Sequence, residues 1–424
     1  NGVFNPKSSQ AYGLSLGYKY RKFSFGASAR NNTITLTDGS QLLGTTADTV
    51  FKRVFALELN VSGDITVEVG SVIDASYQGF PDLGSGTSWP DFATDARTGC
   101  HGGQMRYFST NVIKDCTYGD YRHARFGGSA GNDGNGGGVI AISATSLHLD
   151  GEILALGGNE SDASVQDSAG AGGAVHIDVA SLSGSGVVNV RGGLNSGPAG
   201  AGGRISVIAD EDTFTGLGQW IVSDGGAGTV SGAGTVYRNI AGAEHLLVDN
   251  GGRMALAGST PIRSVGRYVI TSVTADAEVA DRWHITADGA SWRATDLDLA
   301  WGLQGIEVSV NAADETAPLH RIQSNTADTL VIDVPAGTDL AGIEGQELIG
   351  VHHFDSLTVT GGAAVSFGED RLLLDPSTTS VEASARVVAD EVIYLGNVTL
   401  DDGGNYRLVT ANSKAVIEGN LTLQ

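Results

Sequence analysis

The chain has 424 residues and a formal net charge of -23, with 62 glycines, 2 cysteines and 2 methionines. This acidic excess argues against nucleic acid and anionic membrane surfaces as partners, because both require clustered lysines and arginines. No apolar run approaches the roughly 18 residues that a membrane-spanning helix needs. No long segment combines a 3.6-residue apolar period with helix-capping signals, so the chain is predicted to be all-β.

Residues 1–50 are predicted to form a cap or a docking segment. Between residues 12 and 30, apolar side chains alternate with small or polar ones, which predicts a hairpin. The candidate assembly residues of this hairpin are Tyr18, Tyr20, Phe23 and Phe25. The chain starts at Asn1 without a methionine, which suggests a processed or excised segment.

Residues 80–136 form a long excursion with little periodicity. Such loops are commonly functional or disordered, and the aromatic residues and two cysteines of this one favour order. Cys100 and Cys116 predict a disulfide whose loop closure stabilises the fold by roughly 3 kcal/mol, with a reduced pair as the alternative. The candidate ligand or partner residues are Trp89, Tyr107, Tyr118, Tyr121, Arg122, His123 and Arg125. They either contact sugar rings or a neighbouring subunit, or form a small core that holds the loop in place.

The sequence repeats itself between residues 137 and 226. Residues 137–142 read Gly-Gly-Val-Ile-Ala-Ile, and related segments begin at Gly172 and Gly202. A fixed period with variable insertions is typical of stacked repeats, none of which buries its apolar face alone. The short period-2 strands leave no room for crossover helices, so they predict a right-handed parallel β-helix, or solenoid. A flexible glycine-rich linker, the alternative, lacks this alternation.

Glycines of these repeats are expected to fill the corners between strands. There they adopt positive φ without steric cost and allow neighbouring turns to approach closely.

The composition changes twice after the repeats. Glycines thin out over residues 255–346, where Trp283, Trp292 and Trp301 appear, which predicts an interposed small antiparallel β-domain. Short strands separated by turns then return over residues 347–424. The predicted organisation is a hairpin, cap or docking segment over 1–50, a glycine-rich β-helix over 51–254 with its loop at 80–136, the small β-domain over 255–346 and a second solenoid stretch over 347–424.

Acidic residues in glycine-rich turns make Ca²⁺ the one candidate cofactor. Carboxylates and backbone carbonyls are the ligands that Ca²⁺ prefers, although none of these turns matches an EF-hand or a calcium-binding nonapeptide repeat. Aspartate in a turn also simply hydrogen-bonds its own backbone. The candidate metal ligands are Asp133, Asp162, Asp167, Asp401 and Asp402.

No catalytic residue is predicted. A polysaccharide lyase or glycosidase on such a fold would need carboxylates at one position of successive turns. The equivalent positions hold Ser143, Asp178 and Ile208, so the chain is expected to be non-enzymatic.

The order of these motifs resembles that of a known family. Gly-Gly-Gly-Val-Ile-Ala-Ile at 136–142, Gly-Gly-Arg-Ile-Ser-Val at 202–207 and Leu-Val-Asp-Asn-Gly-Gly at 247–252 look like the glycine-rich β-helix repeats of large, secreted, adhesin-like bacterial surface proteins. The resemblance covers residues 55–345. It implies a location outside the cell or on its surface and a structural or adhesive role, and it supplies no catalytic residue.

The function expected from the sequence is that of a bacterial surface filament, sheath or adhesin subunit. An open solenoid has sheet edges at both ends, so subunits are expected to join by strand addition into a fibre or surface layer. The hairpin at 12–30 and the strand near Gln424 are the candidate joining segments. The alternative is a carbohydrate-binding or polysaccharide-cleaving β-helix protein, with glycans as partners.

Overall fold

A computed structural model describes most residues from 56 onward and three short strands before them. The described ranges are 23–24, 34–36, 41–43, 56–81, 99–105, 116–131, 134–159, 168–195, 197–215, 220–226, 230–256, 260–295, 302–375, 379–381, 385–389, 391–394, 398–400, 406–408, 414–417 and 420–423. All regular structure within these ranges is β-strand, and they contain no helix. The all-β prediction is therefore confirmed.

The first part of the chain forms parallel sheets. Its strands are β1 (Phe23–Ser24), β2 (Ile34–Leu36), β3 (Gln41–Leu43), β4 (Ala56–Asn60), β5 (Asp64–Val67), β6 (Val72–Asp74), β7 (Val139–Leu149), β8 (Glu152–Leu154), β9 (Ala174–Gly184), β10 (Val187–Asn189), β11 (Arg204–Asp212), β12 (Trp220–Ile221), β13 (Thr235–Ile240) and β14 (Ala243–Asp249). One sheet contains β4, β7, β9, β11, β13 and β14 in that order, and another contains β3, β6, β8, β10 and β12.

The repeated glycine pairs set the register of the first sheet. Val139, Ala174 and Arg204 each follow a glycine pair directly, and they are paired across β7, β9 and β11. The register continues into β13, where Thr235 pairs with Arg204. The prediction that each repeat starts a strand is thus confirmed, and equivalent residues of successive repeats lie side by side.

The middle of the chain forms antiparallel pairs. Its strands are β16 (Arg267–Ala275), β17 (Arg282–Ala287), β18 (Glu307–Ser309), β19 (Leu319–Asn325), β20 (Thr329–Asp333) and β21 (Glu347–Phe354). The short strand β15 (Thr260–Pro261) precedes them and belongs to a parallel ladder. Strands β16 to β20 pair antiparallel with one another and with β21. Their side chains enclose a separate core that includes Trp292.

Parallel pairing returns after β21. The remaining strands are β22 (Ser356–Thr360), β23 (Ala364–Ser366), β24 (Arg371–Leu374), β25 (Ser380–Val381), β26 (Arg386–Ala389), β27 (Glu391–Tyr394), β28 (Val398–Leu400), β29 (Tyr406–Leu408), β30 (Lys414–Ile417) and β31 (Leu421–Leu423). Strands β21, β24, β27 and β30 form one parallel ladder, and β15, β23, β26 and β29 form another.

A hairpin joins the two parallel regions. Strands β13 and β14 pair antiparallel around Ala241 and Gly242, which both have positive φ. Val236 belongs to the core of the first region, whereas its neighbour Tyr237 belongs to the core of the second. Because consecutive residues of a strand point to opposite faces, the two cores lie on opposite sides of this shared sheet.

Candidate functional site

The glycine-rich segments between the strands form extended arms that hydrogen-bond to one another. The arm at 168–172 shows the arrangement most fully. At N···O distances of 2.8 to 3.3 Å, its backbone partners are Ser129, Gly137, Gly158, Gly193, Pro198 and Ala201. These partners belong to several different segments, so the arm is held on several sides rather than in one flat sheet.

Glycine is required in these arms because the backbones lie too close for a side chain. A Cβ on Gly170, Gly172 or Gly200 would lie less than 3.0 Å from a carbonyl oxygen of a neighbouring segment. Among the described glycines from 128 to 234, only Gly184 and Gly226 have positive φ. Close approach, rather than positive φ, is therefore what most of these glycines provide.

A segment at 116–126, called the strap from here on, lies across the outer face of the first sheet. Ile205 and Val207 of β11 point into the core, so Arg204 and Ser206 point to the opposite, outer face. The Arg204 Nε atom donates to the backbone oxygen of Tyr118 at 3.0 Å. Since Arg204 and Ser206 are nearly inaccessible to solvent, the strap covers this face.

The strap is fixed at its start by a disulfide. Cys116 and Cys100 are bonded, with their Cα atoms 5.9 Å apart, and both side chains are buried. This pairing is the one predicted from the sequence. The Tyr118 hydroxyl donates to the backbone oxygen of Gly127 at 2.6 Å, which closes the other side of the strap.

The strap also contacts the hairpin and the second parallel region. The Tyr121 ring lies 5.5 Å from the ring of Tyr237 and 6.2 Å from that of Phe354. An ion pair joins Arg122 of the strap to Glu244 of β14 at 3.3 Å. A second, from Asp120 to Arg263, measures 2.9 Å. The strap therefore fastens the two parallel regions where their cores change sides.

The structure separates the predicted ligand or partner residues into two groups. Tyr118 and Tyr121 are buried at 4% and 2% exposure, so their rings do not face an outside ligand. Of the two alternatives that the sequence left open for these residues, the burial of these two rings agrees with a small core, because the strap turns both rings inward. Arg122 is half-buried, whereas His123 and Arg125 are exposed. Trp89 and Tyr107 lie outside the described residues.

The other predicted site residues lie mostly outside the described ranges. Asp133, Asp162, Asp167, Asp401 and Asp402, the candidate Ca²⁺ ligands, all do, and so do Tyr18, Tyr20 and Phe25. Phe23 is in β1, which pairs parallel with β4. Within the described residues, no group of three or more His, Cys, Asp or Glu side chains is placed to hold a metal ion.

Two histidines beneath and beside the strap are held neutral. Burial, and next the charge of Arg204, lower the pKa of His101 from its usual 6.5 to about 3. Burial also lowers the pKa of His176 from 6.5 to about 3, with help from Arg125 and His123. Nothing in the sequence indicates that the distant strap covers His176.

A second buried cluster lies on β24, β27 and the strands packed against them. The Asp370 carboxylate accepts from Ser264 Oγ at 2.8 Å, Gly266 N at 2.6 Å and His352 Nε2 at 3.0 Å. Next to it, Glu391 pairs with Arg371 at 3.0 Å. Sequence reasoning missed this cluster, although Arg371, Glu391 and Lys414 share one register across β24, β27 and β30.

A shallow cleft of about 570 Å³ opens beside β5 and β7. It is lined by Thr66, Glu68, Val69, His148 and Asp150. The His148 ring bridges Ser183 Oγ at 3.0 Å and the Asp150 carboxylate at 2.9 Å. This row of polar groups offers both donors and acceptors to a ligand on the open surface.

No protein-family model, curated protein or solved structure matches the chain. The described residues also hold no helix of the length and apolar character that a membrane crossing needs.

The disulfide is expected to stabilise the strap rather than the sheets. Replacing both Cys100 and Cys116 by serine removes a link between residues 16 positions apart. By the chain-entropy estimate, opening of the strap should become easier by about 3 kcal/mol. Native-state hydrogen exchange at Tyr118 and Ala124 measures this opening. Amides of β17, which lie far from the strap, serve as the internal control, and an equal loss of protection there would contradict a local role.

Proposed function

We propose that the chain is a right-handed parallel β-helix in two stretches that share one sheet. The support is the in-register pairing of successive repeats, in which each passage of the chain adds one strand to each parallel ladder. At the hairpin of β13 and β14 the strand direction reverses and the core changes side. The handedness of a solenoid depends on the strand direction, the side of the core and the direction of stacking. Because the first two both reverse and the third does not, the two stretches have the same handedness.

The proposed function is that of a non-enzymatic, extracellular structural protein. In this proposal it is a subunit of a bacterial surface filament, sheath or adhesin that assembles by strand addition. The observation that carries it is the regular stacking: the apolar side chains line up level after level, with Ile140, Val175 and Ile205 paired across three repeats. Such a stack makes a long rod, and its ends present unpaired backbone groups.

The terminal strands supply the edges that strand addition requires. In the part of the chain that the structure describes, β1, which lies within the predicted joining segment at 12–30, pairs only with β4, and β31 pairs only with β28. Each thus has one side without a partner strand among the described residues. A second copy that adds a strand there would continue the same parallel ladder.

A location outside the cytoplasm accords with the covalent link and the charge. The buried Cys100–Cys116 disulfide forms and persists in oxidising compartments. The net charge of -23 keeps a secreted chain soluble before assembly.

Deletion of residues 1–30 tests assembly. The truncated protein is expected to remain a soluble monomer in conditions where the full chain forms fibres, as seen by negative-stain electron microscopy and analytical ultracentrifugation. An unchanged thermal midpoint would show that the shortened chain still folds. Fibres of unaltered length and number from that folded variant would refute assembly through this segment.

A second candidate function, carbohydrate binding, is favoured by the polar cleft. Its carboxylates and imidazole, at Glu68, Asp150 and His148, are groups that hydrogen-bond sugar hydroxyls. Binding of the full chain to a glycan array, lost in Asp150→Asn but kept in a variant changed far from the cleft such as Glu278→Gln, would support it. Release of new reducing or unsaturated ends from a polysaccharide would instead favour an enzyme.

A further inference from the structure

The boundary between the strap and the first sheet has an excess of positively charged side chains, although the protein as a whole is strongly acidic. The ionisable groups of this boundary, besides the tyrosines, are His101, His123, His176, Arg122, Arg125, Arg204, Arg263, Asp120 and Glu244. With the histidines neutral, four arginines face two carboxylates. Protonation of the two buried histidines, His101 and His176, would add two more positive charges to a boundary where arginines already outnumber carboxylates.

His101 has no means of accommodating a proton where it lies. Its Nδ1 atom is 2.9 Å from the backbone oxygen of Gly172, an acceptor, so that nitrogen carries the hydrogen of the neutral ring. The Nε2 atom is buried and has no hydrogen-bond partner among the described residues. The charged or titratable groups that face the ring are Arg204 of β11 and Tyr118 of the strap, whose ring is 4.9 Å away. Neither would stabilise an imidazolium.

His176 is on β9 of the first sheet and is also buried under the strap. It is 2% exposed, and its Nδ1 atom is 2.5 Å from Ser206 Oγ, the same oxygen that accepts from Ala124 N of the strap. The charged groups that face it are His123 and Arg125, both from the strap. A protonated His176 would therefore be repelled by the positive charge of Arg125 in the strap that covers it.

We propose that the strap is an acid-released cover, which lies closed on the sheet while His101 and His176 are neutral and opens when they take up protons. Opening would expose the outer face of β9, β11 and β13 together with the aromatic contact of Tyr121, Tyr237 and Phe354. The disulfide would keep the opened strap tethered at Cys116. This inference does not depend on the proposed assembly, because it concerns a movement within one chain.

The direction of the effect follows from the lowered pKa of both rings. A histidine whose pKa falls from 6.5 to about 3 on closure stabilises the closed form above pH 6.5, and that stability is lost as the pH falls towards 3. Between pH 7.5 and pH 5.0 each ring should raise the opening constant roughly 30-fold, and both together roughly 1000-fold. Asp120 does not oppose this, because the neighbouring Arg263 holds the pKa of its carboxyl well below the usual range, so its charge is the same at pH 7.5 and pH 5.0.

Hydrogen exchange at pH 7.5 and 5.0 tests the proposal on the full chain. Exchange of the Tyr118 and Ala124 amides, divided by the intrinsic rate at each pH, is expected to rise roughly 1000-fold at the lower pH. Amides of β17 should change far less. In His101→Asn or His176→Asn, which place an amide where Nδ1 lies, the rise should shrink to roughly 30-fold. His148→Asn is the matched control, because its side chain is 48% exposed and contacts Ser183 and Asp150 rather than the strap, so the rise should stay in place.

A second measurement uses the unmodified protein, in case the variants fold poorly. The rate at which a water-soluble phosphine reduces the buried Cys100–Cys116 bond is compared with its rate on oxidised glutathione at both pH values. The ratio should rise at pH 5.0 if the strap opens. A ratio that does not change with pH, or a strap exchange rate that rises as steeply in His101→Asn and His176→Asn as in the unmodified protein, would overturn the proposal.

Discussion

Replacing Gly172 by alanine is expected to destabilise the protein by roughly 4 kcal/mol or more, a loss large enough to prevent folding of the first parallel region. A Cβ at this position would lie less than 3.0 Å from both the Val190 carbonyl oxygen and the Gly203 nitrogen. Both are main-chain atoms, and Gly172 N is itself hydrogen-bonded to Ala201 O at 2.9 Å. Neither neighbour can rotate away as a side chain would, so whole segments must move apart.

Urea unfolding followed by far-UV circular dichroism measures the loss. The matched control is Gly242→Ala, because Gly242 has positive φ but no heavy atom within 4 Å of an added Cβ. That variant should lose only about 1 kcal/mol, the cost of the left-handed conformation for a residue with a side chain. If Gly172→Ala lost no more than this, the arms would not be packed backbone against backbone.

The register of the first sheet could be predicted from the sequence because successive repeats place equivalent residues after each glycine pair. Each Gly-Gly pair is followed by the same alternation, and Val139, Ala174 and Arg204 do lie side by side. The packing of the arms could not be predicted in the same way. Asn135, Gly170 and Gly200 hold equivalent positions, each two residues before a glycine pair. However, Gly170 N also donates to Gly158 O and Ala171 N to Ser129 O, and these lateral partners are not at equivalent positions of the repeats.

The strap illustrates a different limit of sequence reasoning. Its aromatic and arginine residues stood out by density, and the sequence left open whether they formed a surface or a small core. Tyr121 is buried because the second region places Phe354 beside it, from more than half the chain away. Tyr237 gave a usable signal, since a large ring next to the inward-pointing Val236 requires apolar surroundings on the other face of β13.

The charged cluster on β24, β27 and β30 was missed because charge at a strand start normally predicts solvent exposure. Arg371 and Glu391 are buried because the antiparallel strands lie over them: Arg371 Nη2 donates to the Ala312 carbonyl at 2.7 Å. The register of Arg371, Glu391 and Lys414 alternates in sign across neighbouring strands. This alternation is visible only once the three strands are aligned.

The second large effect is expected from Glu391→Gln, which should cost about 3–5 kcal/mol of unfolding free energy. The fully buried carboxylate of Glu391 lies 3.0 Å from Arg371 Nε, 3.2 Å from Arg267 Nη2 and 2.5 Å from Lys414 Nζ. Glutamine keeps the shape but removes the charge, so the buried guanidinium of Arg371 loses its partner. Uncompensated charge on a buried guanidinium is the physical reason for the size of the loss.

Two further variants separate charge from shape in this cluster. Glu347→Gln removes the other partner of Arg267, but Glu347 is 51% exposed, so the loss should stay below about 1 kcal/mol. The double change Arg371→Met with Glu391→Leu removes both charges and fills similar volume, and it should be more stable than Glu391→Gln alone. The urea midpoints of Glu391→Gln, Glu347→Gln and the double variant, measured at the same ionic strength, show whether charge or shape accounts for the loss of stability. If the double variant were as unstable as the single one, the hydrogen bond from Arg371 to Ala312, rather than the balance of charge, would be what holds the antiparallel strands on the second parallel region.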